Sequence, residues 1–527
     1  MRGTTSLTSG NDPLIIVDGV LGDLSMLTSV YPTDIESFTI LKDASETAQY
    51  GSRGASGVIN ITTKKGVSGK TRINYNGSFG IAHAYRHLDM LSGAEYRNVT
   101  AAHGLSILDK GYNTDFQKEI EQLGIQQNHN IAFYGGGEAS RYRVSLGYLD
   151  REGVVLNESM KLFTSNMNMS QDIFGKFIQC ELGLFGSVKK NRNLVDLQKT
   201  FYSAAAFNPT FPNHKDYTTD AWDQITTASQ IPNPLAWMEV NDRDDISYFS
   251  AHARLNFNLS PDLKFVLFGS YTYNDSEDSQ YLPTTVWAHG QAYRGNRRSE
   301  SMLGNAMFTY QKQLKKHFID VLALAELEKS VYTGFYTTVT NFSSDKMGFD
   351  NLQAGALRPW DGTGSYYEEP HLASFLGRVN YTYADRYVLT VNARTDASSK
   401  FGANHKWGFF PSVSAAWNIT SEKFMRRLSW IDNLKLRVGY GLAGNQGGID
   451  SYTTMNLVRP NGVAPVGNSP VVTYETLRNI NPDLKWEANK TFNVGIDFGF
   501  LNQRITFSPE FYINRSSNLL LNAKLPN

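Results

Sequence analysis

Residues 372–383 put Ala373, Phe375, Val379, Tyr381 and Tyr383 on one face of an extended chain, and Ser374, Arg378, Asn380 and Thr382 on the other. Successive side chains of a strand point to opposite faces, so this is period-2 alternation. After the short turn Ala384-Asp385 it resumes, with Tyr387, Leu389, Val391 and Ala393 against Thr390, Asn392 and Arg394. Phe492, Val494, Ile496 and Phe498 alternate with Asn493, Gly495 and Asp497. Ile505, Phe507, Pro509, Phe511 and Ile513 alternate with Thr506, Ser508, Glu510, Tyr512 and Asn514. Similar runs occur at 141–148, 252–259 and 434–440. The polar face repeatedly carries Arg, Asn, Asp or Glu. A soluble sandwich also alternates, so length must decide. These runs last about 9–12 residues, the span of a tilted strand crossing a bilayer and longer than the common soluble length of about 5–6.

Connection lengths sharpen the reading. About fifteen strands are expected, near 71–81, 127–135, 141–149, 160–170, 176–187, 246–259, 263–274, 303–310, 317–329, 372–383, 386–396, 409–418, 434–441, 490–499 and 503–514. Short linkers at 136–140, 171–175, 260–262, 311–316, 384–385 and 500–502 alternate with mostly long ones at 82–126, 188–245, 275–302, 330–371 and 442–489. A moderate linker, 420–433, reads as helical. Short turns on one side and long loops on the other mark a transmembrane antiparallel β-barrel of the outer-membrane type. An odd count, with the chain stopping in a loop, leads to the expectation that strands are missing at the C-terminus. An open barrel would leave backbone groups unpaired in lipid.

The first segment differs. Pro13-Leu14-Ile15-Ile16-Val17 is a short strand stopped by the turn pair Asp18-Gly19. Residues 35–41 form a second strand-like run. Asp43 and Glu46 have capping-box spacing and open a helix of about two turns that ends at Gly51. A glycine-rich stretch, 51–57, precedes the β-branched strand 58–63. No helix follows those glycines, so the dipole that would favour an anion is missing. Gly66-Val67-Ser68-Gly69-Lys70-Thr71 ends like a P-loop, but Lys64 stands where the first glycine belongs and strand-like residues follow. Phosphate binding is therefore set aside. The expected division is a partial α/β domain at 1–66 and a barrel at 67–527.

Composition narrows the rest. Lys plus Arg and Asp plus Glu each number 50 in 527 residues, a balance that argues against a nucleic-acid binder. One cysteine, Cys180, allows no internal disulfide, cysteine zinc cage or iron–sulfur site. The ten histidines show no H-E-x-x-H pair, and neither a metal nor a cofactor is expected. Aromatics reach 13% and charged residues only 19%, which suits strands and membrane interfaces. No apolar run is long enough for a transmembrane helix. The N-terminus is polar and lacks a signal-peptide core, so the natural start is expected to lie upstream.

The segment Pro13 to Val20 resembles the plug-domain signature of SusC/RagA-type TonB-dependent outer-membrane transporters. Asp34-Ile35-Glu36-Ser37, Leu41-Lys42-Asp43-Ala44-Ser45, Tyr50-Gly51-Ser52-Arg53-Gly54-Ala55 and Gly57-Val58-Ile59 continue it in the family's order. Arg394-Thr395-Asp396-Ala397-Ser398-Ser399-Lys400-Phe401-Gly402 resembles a barrel motif of the same family, with Ala397 where glycine is more usual. So do Phe410-Pro411-Ser412 with Ala416-Trp417, Leu434-Lys435-Leu436-Arg437 with Gly441, and Asn481-Pro482 with Lys485-Trp486-Glu487.

The resemblance implies a 22-strand barrel in the cell outer membrane, stoppered by the N-terminal plug and driven by the TonB complex. It also implies a SusD-like surface lipoprotein and an oligosaccharide or peptide substrate, with outer-membrane lipid around the wall. The TonB-contacting segment and about seven strands would lie outside this chain. Structural or gating candidates in the plug motif are Asp18, Gly19, Asp34, Glu36, Lys42, Asp43, Tyr50, Gly51, Arg53, Gly54 and Gly57. Its charges are expected to meet inward-facing wall charges such as Arg378, Arg394 and Asp497, against the plainer reading of caps and solvated charges. Trp222, Trp237, Trp287, Trp360 and Trp407 lie in or beside loops, where a Trp face can stack on a sugar or mark the membrane interface. Asn274-Asp275-Ser276-Glu277-Asp278 lacks calcium-loop spacing and is expected as a solvated loop tip.

Three functions fit a chain of this kind. The first is active import across the outer membrane, without enzymatic activity. The second is a passive porin or surface receptor, against which the plug argues. The third is a secreted β-rich glycoside hydrolase, which needs a carboxylate pair and soluble outer faces.

Overall fold

A computed structural model describes residues 11–520 apart from 43, 226–230, 288, 429 and 479. The N-terminal unit comprises β1 (Leu14–Val17), β2 (Val20–Gly22), α1 (Leu24–Ser29), β3 (Ile35–Leu41), α2 (Ala44–Thr47) and β4 (Val58–Thr63). Its sheet order is β2-β1-β4-β3, with β1 parallel to β4 and the other pairs antiparallel. Asp18 and Gly19 both take positive φ, 53° and 94°, which the tight β1–β2 turn requires. Ile15, Val17, Val20, Met26 and Ile61 form its core and reach wall residues Tyr248, Phe268 and Leu303. The expected two-turn helix is a single α turn followed by a 3-10 stretch, Ala48–Gly54, kinked at Gly51. The capping residue Asp43 lies outside the described residues.

The wall begins with β5 (Gly69–Ala82), β6 (Gly124–Gly136), β7 (Ser140–Glu152), β8 (Ser159–Ile173) and β9 (Ile178–Arg192). Long strands follow: β10 (Asn241–Asn258), β11 (Leu263–Leu282), β12 (Gln291–Leu314) and β13 (His317–Phe342). Two short segments, β14 (Gly355–Leu357) and β15 (Thr363–Glu368), pair with the far end of β13. Then come β16 (His371–Tyr383), β17 (Tyr387–Ser398), β18 (Trp407–Asn418) and β19 (Ile431–Asn445). A separate hairpin, β20 (Leu457–Val466) and β21 (Ser469–Arg478), stands in the loop before β22 (Glu487–Phe500). The last positions are β23 (Ile505–Phe507) and β24 (Glu510–Ser517), both paired to β22. Every wall ladder is antiparallel, and the long strands pair in chain order, with the short β14 and β15 and the β20–β21 hairpin as insertions. The break between β23 and β24 falls at Ser508-Pro509, because proline has no N–H to give a ladder.

The wall is polar inside and apolar outside. On β16 and β17 the inward residues Ser374, Asn392, Arg394 and Asp396 are at most 1% exposed, while the outward Phe375, Leu389 and Val391 are 44–49% exposed. A water-soluble core would reverse those figures. At the short-turn rim, Tyr383, Tyr387 and Trp417 stack outward in series, and Trp430 stacks on Phe500. Trp407 stacks on Phe375 toward the other rim. Ten residues separate Trp407 from Trp417 on one tilted strand, about 25 Å along the membrane normal, the height of an apolar band between aromatic girdles.

Strands on the long-loop side run far beyond the expected 9–12 residues. Residues 275–302, expected as a loop, are largely the outer parts of β11 and β12, and 330–371, also expected as a loop, holds the outer end of β13 with the short β14 and β15. Beyond the lipid both faces meet water, so apolar alternation fades while the backbone ladder continues. Asn274 to Asp278 is accordingly strand, not a loop tip. Its acids pair with the adjacent strand: Asp278 with Arg297 at 2.8 Å, Asp275 with Arg298 at 3.4 Å, and Glu277 with Arg294. The linker at 420–433 is helical as expected, in two 3-10 turns, Ile419–Ser421 and Lys423–Arg427.

Candidate functional site: the contact between plug and wall

The N-terminal unit lies inside the wall and is held there by charge as well as by its apolar contact with Tyr248, Phe268 and Leu303. Arg53, at the end of the 3-10 stretch, reaches β13 and pairs with both Glu326 and Glu328. These acids are two residues apart, so both project inward. Burial alone works against the Arg53 charge, but Glu328 and Glu326 outweigh it and raise the guanidinium pKa above its ordinary value. Arg394 of β17 is fully buried. It donates to Asp396 at 2.7 Å and to the Gln49 carbonyl at 2.6 Å, and lies 3.6 Å from Glu326. Asp396 in turn accepts the Ser52 backbone N–H at 3.2 Å. Gly51 crosses this network at φ 59°, and a Cβ there would collide with Arg394 and Asp396. The chain needs glycine at that point for conformation and for space.

A second cluster secures the opposite side. Asp34, 3% exposed, accepts from Arg143 and from the Ser145 hydroxyl of β7, each at 2.6 Å. Asp18 accepts the Thr63 N–H at 3.0 Å and the Thr63 hydroxyl at 2.5 Å, tying the β1–β2 turn to the end of β4. Thr63 also accepts from Asn168 of β8 at 3.1 Å. A side chain at Gly19 is disfavoured by its φ of 94°, and Arg254 of β10 packs over it. Two outer pairs, Lys42–Glu510 at 3.1 Å and Lys65–Glu181 at 2.8 Å, complete the set. A cavity of about 430 Å³ remains between unit and wall, lined by Asp18, Tyr50, Arg254 and Glu326. Burial raises the pKa of the Tyr50 hydroxyl, so it stays neutral and polar there.

Wide homology agrees with this geometry. A family profile described as TonB-dependent receptor-like β-barrel matches residues 187–527, and one described as TonB-dependent receptor plug domain matches residues 1–58. The chain belongs to the TonB-dependent receptor family. It is 32% identical to the TonB-dependent receptor SusC of Bacteroides thetaiotaomicron over 584 residues, covering 100% of this chain and 55% of that protein. It is also 32% identical to TonB-dependent receptor P3 of Formosa agariphila, covering 100% and 53%. The chain thus spans about half the length of the curated relatives it matches. In shape it is similar to a chain of the RagAB peptide transporter, with TM-score 0.84 and 22% identity over 100% of this chain and 64% of that one. Receptors of this family are outer-membrane barrels and not enzymes, which removes the hydrolase reading.

With the family in hand, the N-terminal unit is the plug of a TonB-dependent receptor. Of the wall charges expected opposite it, Arg394 touches the plug through Gln49 and Ser52's partner Asp396. Arg378 lies 4.0 Å from Asp320 and also acts through its charge on the plug's Tyr50, whereas Asp497 pairs with Arg437 of the wall at 2.9 Å. Glu36 is exposed on β3. Gly54 and Gly57 are buried where the 3-10 stretch turns into β4. The wall partners Glu326, Glu328 and Arg143 escaped sequence reasoning. Their visible signal is a charged residue at an inward position of a strand that crosses lipid.

The five tryptophans scatter. The long loops carry α3 (Gly93–Ala102), α4 (Phe116–Glu119), α5 (Leu197–Ala206) and α6 (Pro234–Trp237). Trp237 is 7% exposed in an apolar core with Phe116, Phe207 and Phe211, and donates to the Val195 carbonyl at 3.0 Å. Trp222 packs on the same core beneath Lys215. Trp407 faces outward beside Phe375. Trp287 and Trp360, each 52% exposed on the long-loop side, offer free faces.

Proposed function

We propose that the protein to which this chain belongs imports oligosaccharides or peptides across the outer membrane, powered by TonB and aided by a SusD-like lipoprotein. The observation that carries the reading is the plug's mode of attachment. Besides the apolar contact with Tyr248, Phe268 and Leu303, it is held by ion pairs and charge-assisted hydrogen bonds at a few points around a cavity. Such contacts are short-ranged and can be exchanged for water, so a pull on the plug has discrete bonds to break. A passive pore has no use for such a stopper. The resemblance to SusC/RagA-type transporters implies an oligosaccharide or a peptide, and the likeness to the RagAB peptide transporter supports a peptide. Exposed Trp287 and Trp360 are the candidate substrate contacts among the tryptophans.

The test is uptake of labelled oligosaccharides and of labelled peptides by cells that depend on the full-length receptor. Loss of uptake on removing TonB or the neighbouring lipoprotein is expected. Uptake that persists without TonB would establish a passive channel instead.

A further inference from the structure

The outer surface of β12, β13, β16, β17 and β18 is not uniformly filled. Cross-strand registers place Gly304, Leu327, Ala373, Ala397 and Trp407 in one outward row. Below it, Gly377 and Ala393 face outward side by side. Built side chains at Gly304 and Gly377 would meet nothing within 4 Å. The result is an open, largely apolar groove of about 650 Å³ on the lipid side, bounded by Met302, Leu327 and Trp407.

The groove sits at a defined depth. Toward the short turns its surroundings are apolar, with Phe308, Ala325 and Phe375 facing out. One step toward the loops the outward residues become Glu300, Arg298 and Asp275. That change of polarity marks the outer edge of the hydrocarbon. At that edge the groove is lined by three basic side chains, Lys329, His371 and Lys406. Lys329 and His371 share Glu369, at 2.6 and 3.0 Å. The Lys406 ammonium is exposed and has no partner among the described residues.

We propose that this groove binds a phosphorylated lipid of the outer leaflet, with an acyl chain along the small residues and a phosphate against Lys406 and Lys329. An acyl chain matches the apolar floor, and an anionic headgroup matches the cations at its mouth. The groove is continuous with the belt the family's barrels present to lipid. It does not depend on the import reading.

The experiment uses full-length receptor extracted from outer membranes in mild detergent. Native mass spectrometry is expected to show a retained phosphorylated lipid. Each lysine near a charged membrane surface contributes about a five-fold preference, so Lys406→Gln should reduce retention about that much and Lys329→Gln/Lys406→Gln more. Filling the groove with Gly304→Leu should displace the lipid while both lysines remain. Heat-modifiable migration verifies that each variant still forms a barrel. Equal retention by wild type and all variants overturns the proposal. So does protection of Lys406 from acetylation by inorganic phosphate alone, which assigns a free anion. A cross-link between Trp407→Cys copies gives the face to a second receptor and also overturns it.

Discussion

Arg53 is the single side chain on which the plug's seat most depends. Leucine there would leave Glu328 without its cation and Glu326 with only Arg394 at 3.6 Å, and breaking a buried pair from one side costs about 3–5 kcal/mol. Both acids retain some solvent, so the lower end of that range is expected. Arg53→Leu should make the plug sensitive to protease in purified receptor, and adding Glu326→Gln/Glu328→Gln should restore much of its protection. Sensitivity unchanged by the first substitution would show that these pairs do not hold the plug. Gly51→Ala tests the neighbouring constraint. It adds about 1–2 kcal/mol of left-handed backbone cost to a collision with Arg394, and should loosen the same plug segment. The motif Tyr50-Gly51-Ser52-Arg53 was legible as a unit because glycine and arginine stand in a recognisable order. Its partners were not, since a carboxylate inside a barrel strand carries no local mark of what it faces across more than 270 residues of chain.

Elements were legible where lipid made them so. Every expected wall strand exists because the bilayer forces one face apolar and the plug-filled lumen keeps the other polar. Outside the lipid that contrast ends, and the outer halves of β11 to β13 read as loop. The same contrast makes substitution asymmetric. Val391 faces out near the middle of β17, so Val391→Arg should cost about 2–4 kcal/mol of barrel stability. Thr390→Arg, one position away on the lumen side, should cost much less. Urea titration of the heat-modifiable band compares them, and equal losses would contradict the assigned faces. In the loops a different element carries a pH response. Arg97 of α3 donates to Asp109 at 2.7 and 2.9 Å, and these bonds, helped by the Gly111 N–H, hold the Asp109 carboxyl at about 2. A depressed carboxylate stabilises its contact above its ordinary value and loses it as pH falls through the folded one. The tie between α3 and residue 109 should therefore persist at pH 4 and weaken toward pH 2. Arg97→Gln should move that weakening to higher pH, measured by amide exchange in α3.

At the scale of the molecule, the architecture is a small α/β plug seated within a curved wall, and fifteen wall positions are present among the described residues when β23 and β24 count as one and the short β14 and β15 are left out as attachments to β13. The class of that architecture was legible because it rests on a repeated pattern that no single residue can spoil. How the two parts meet was not, because the contacts join residues remote in sequence. Those contacts also define what import demands of the whole. If transport requires the plug to leave its seat, a covalent tie at any seat must stop it. Asp34 and Ser145 bond directly, side chain to side chain, at 2.6 Å. In a Cys180→Ser background, which removes the native thiol, Asp34→Cys/Ser145→Cys should form a plug–wall disulfide on oxidation. Uptake should then fall to the level of a TonB-deficient strain and return on reduction, while each single cysteine variant stays unaffected by oxidant. Full uptake through the oxidised, demonstrably cross-linked receptor would mean that substrate passes with this side of the plug in place, and that any opening is made along the Arg53 side alone.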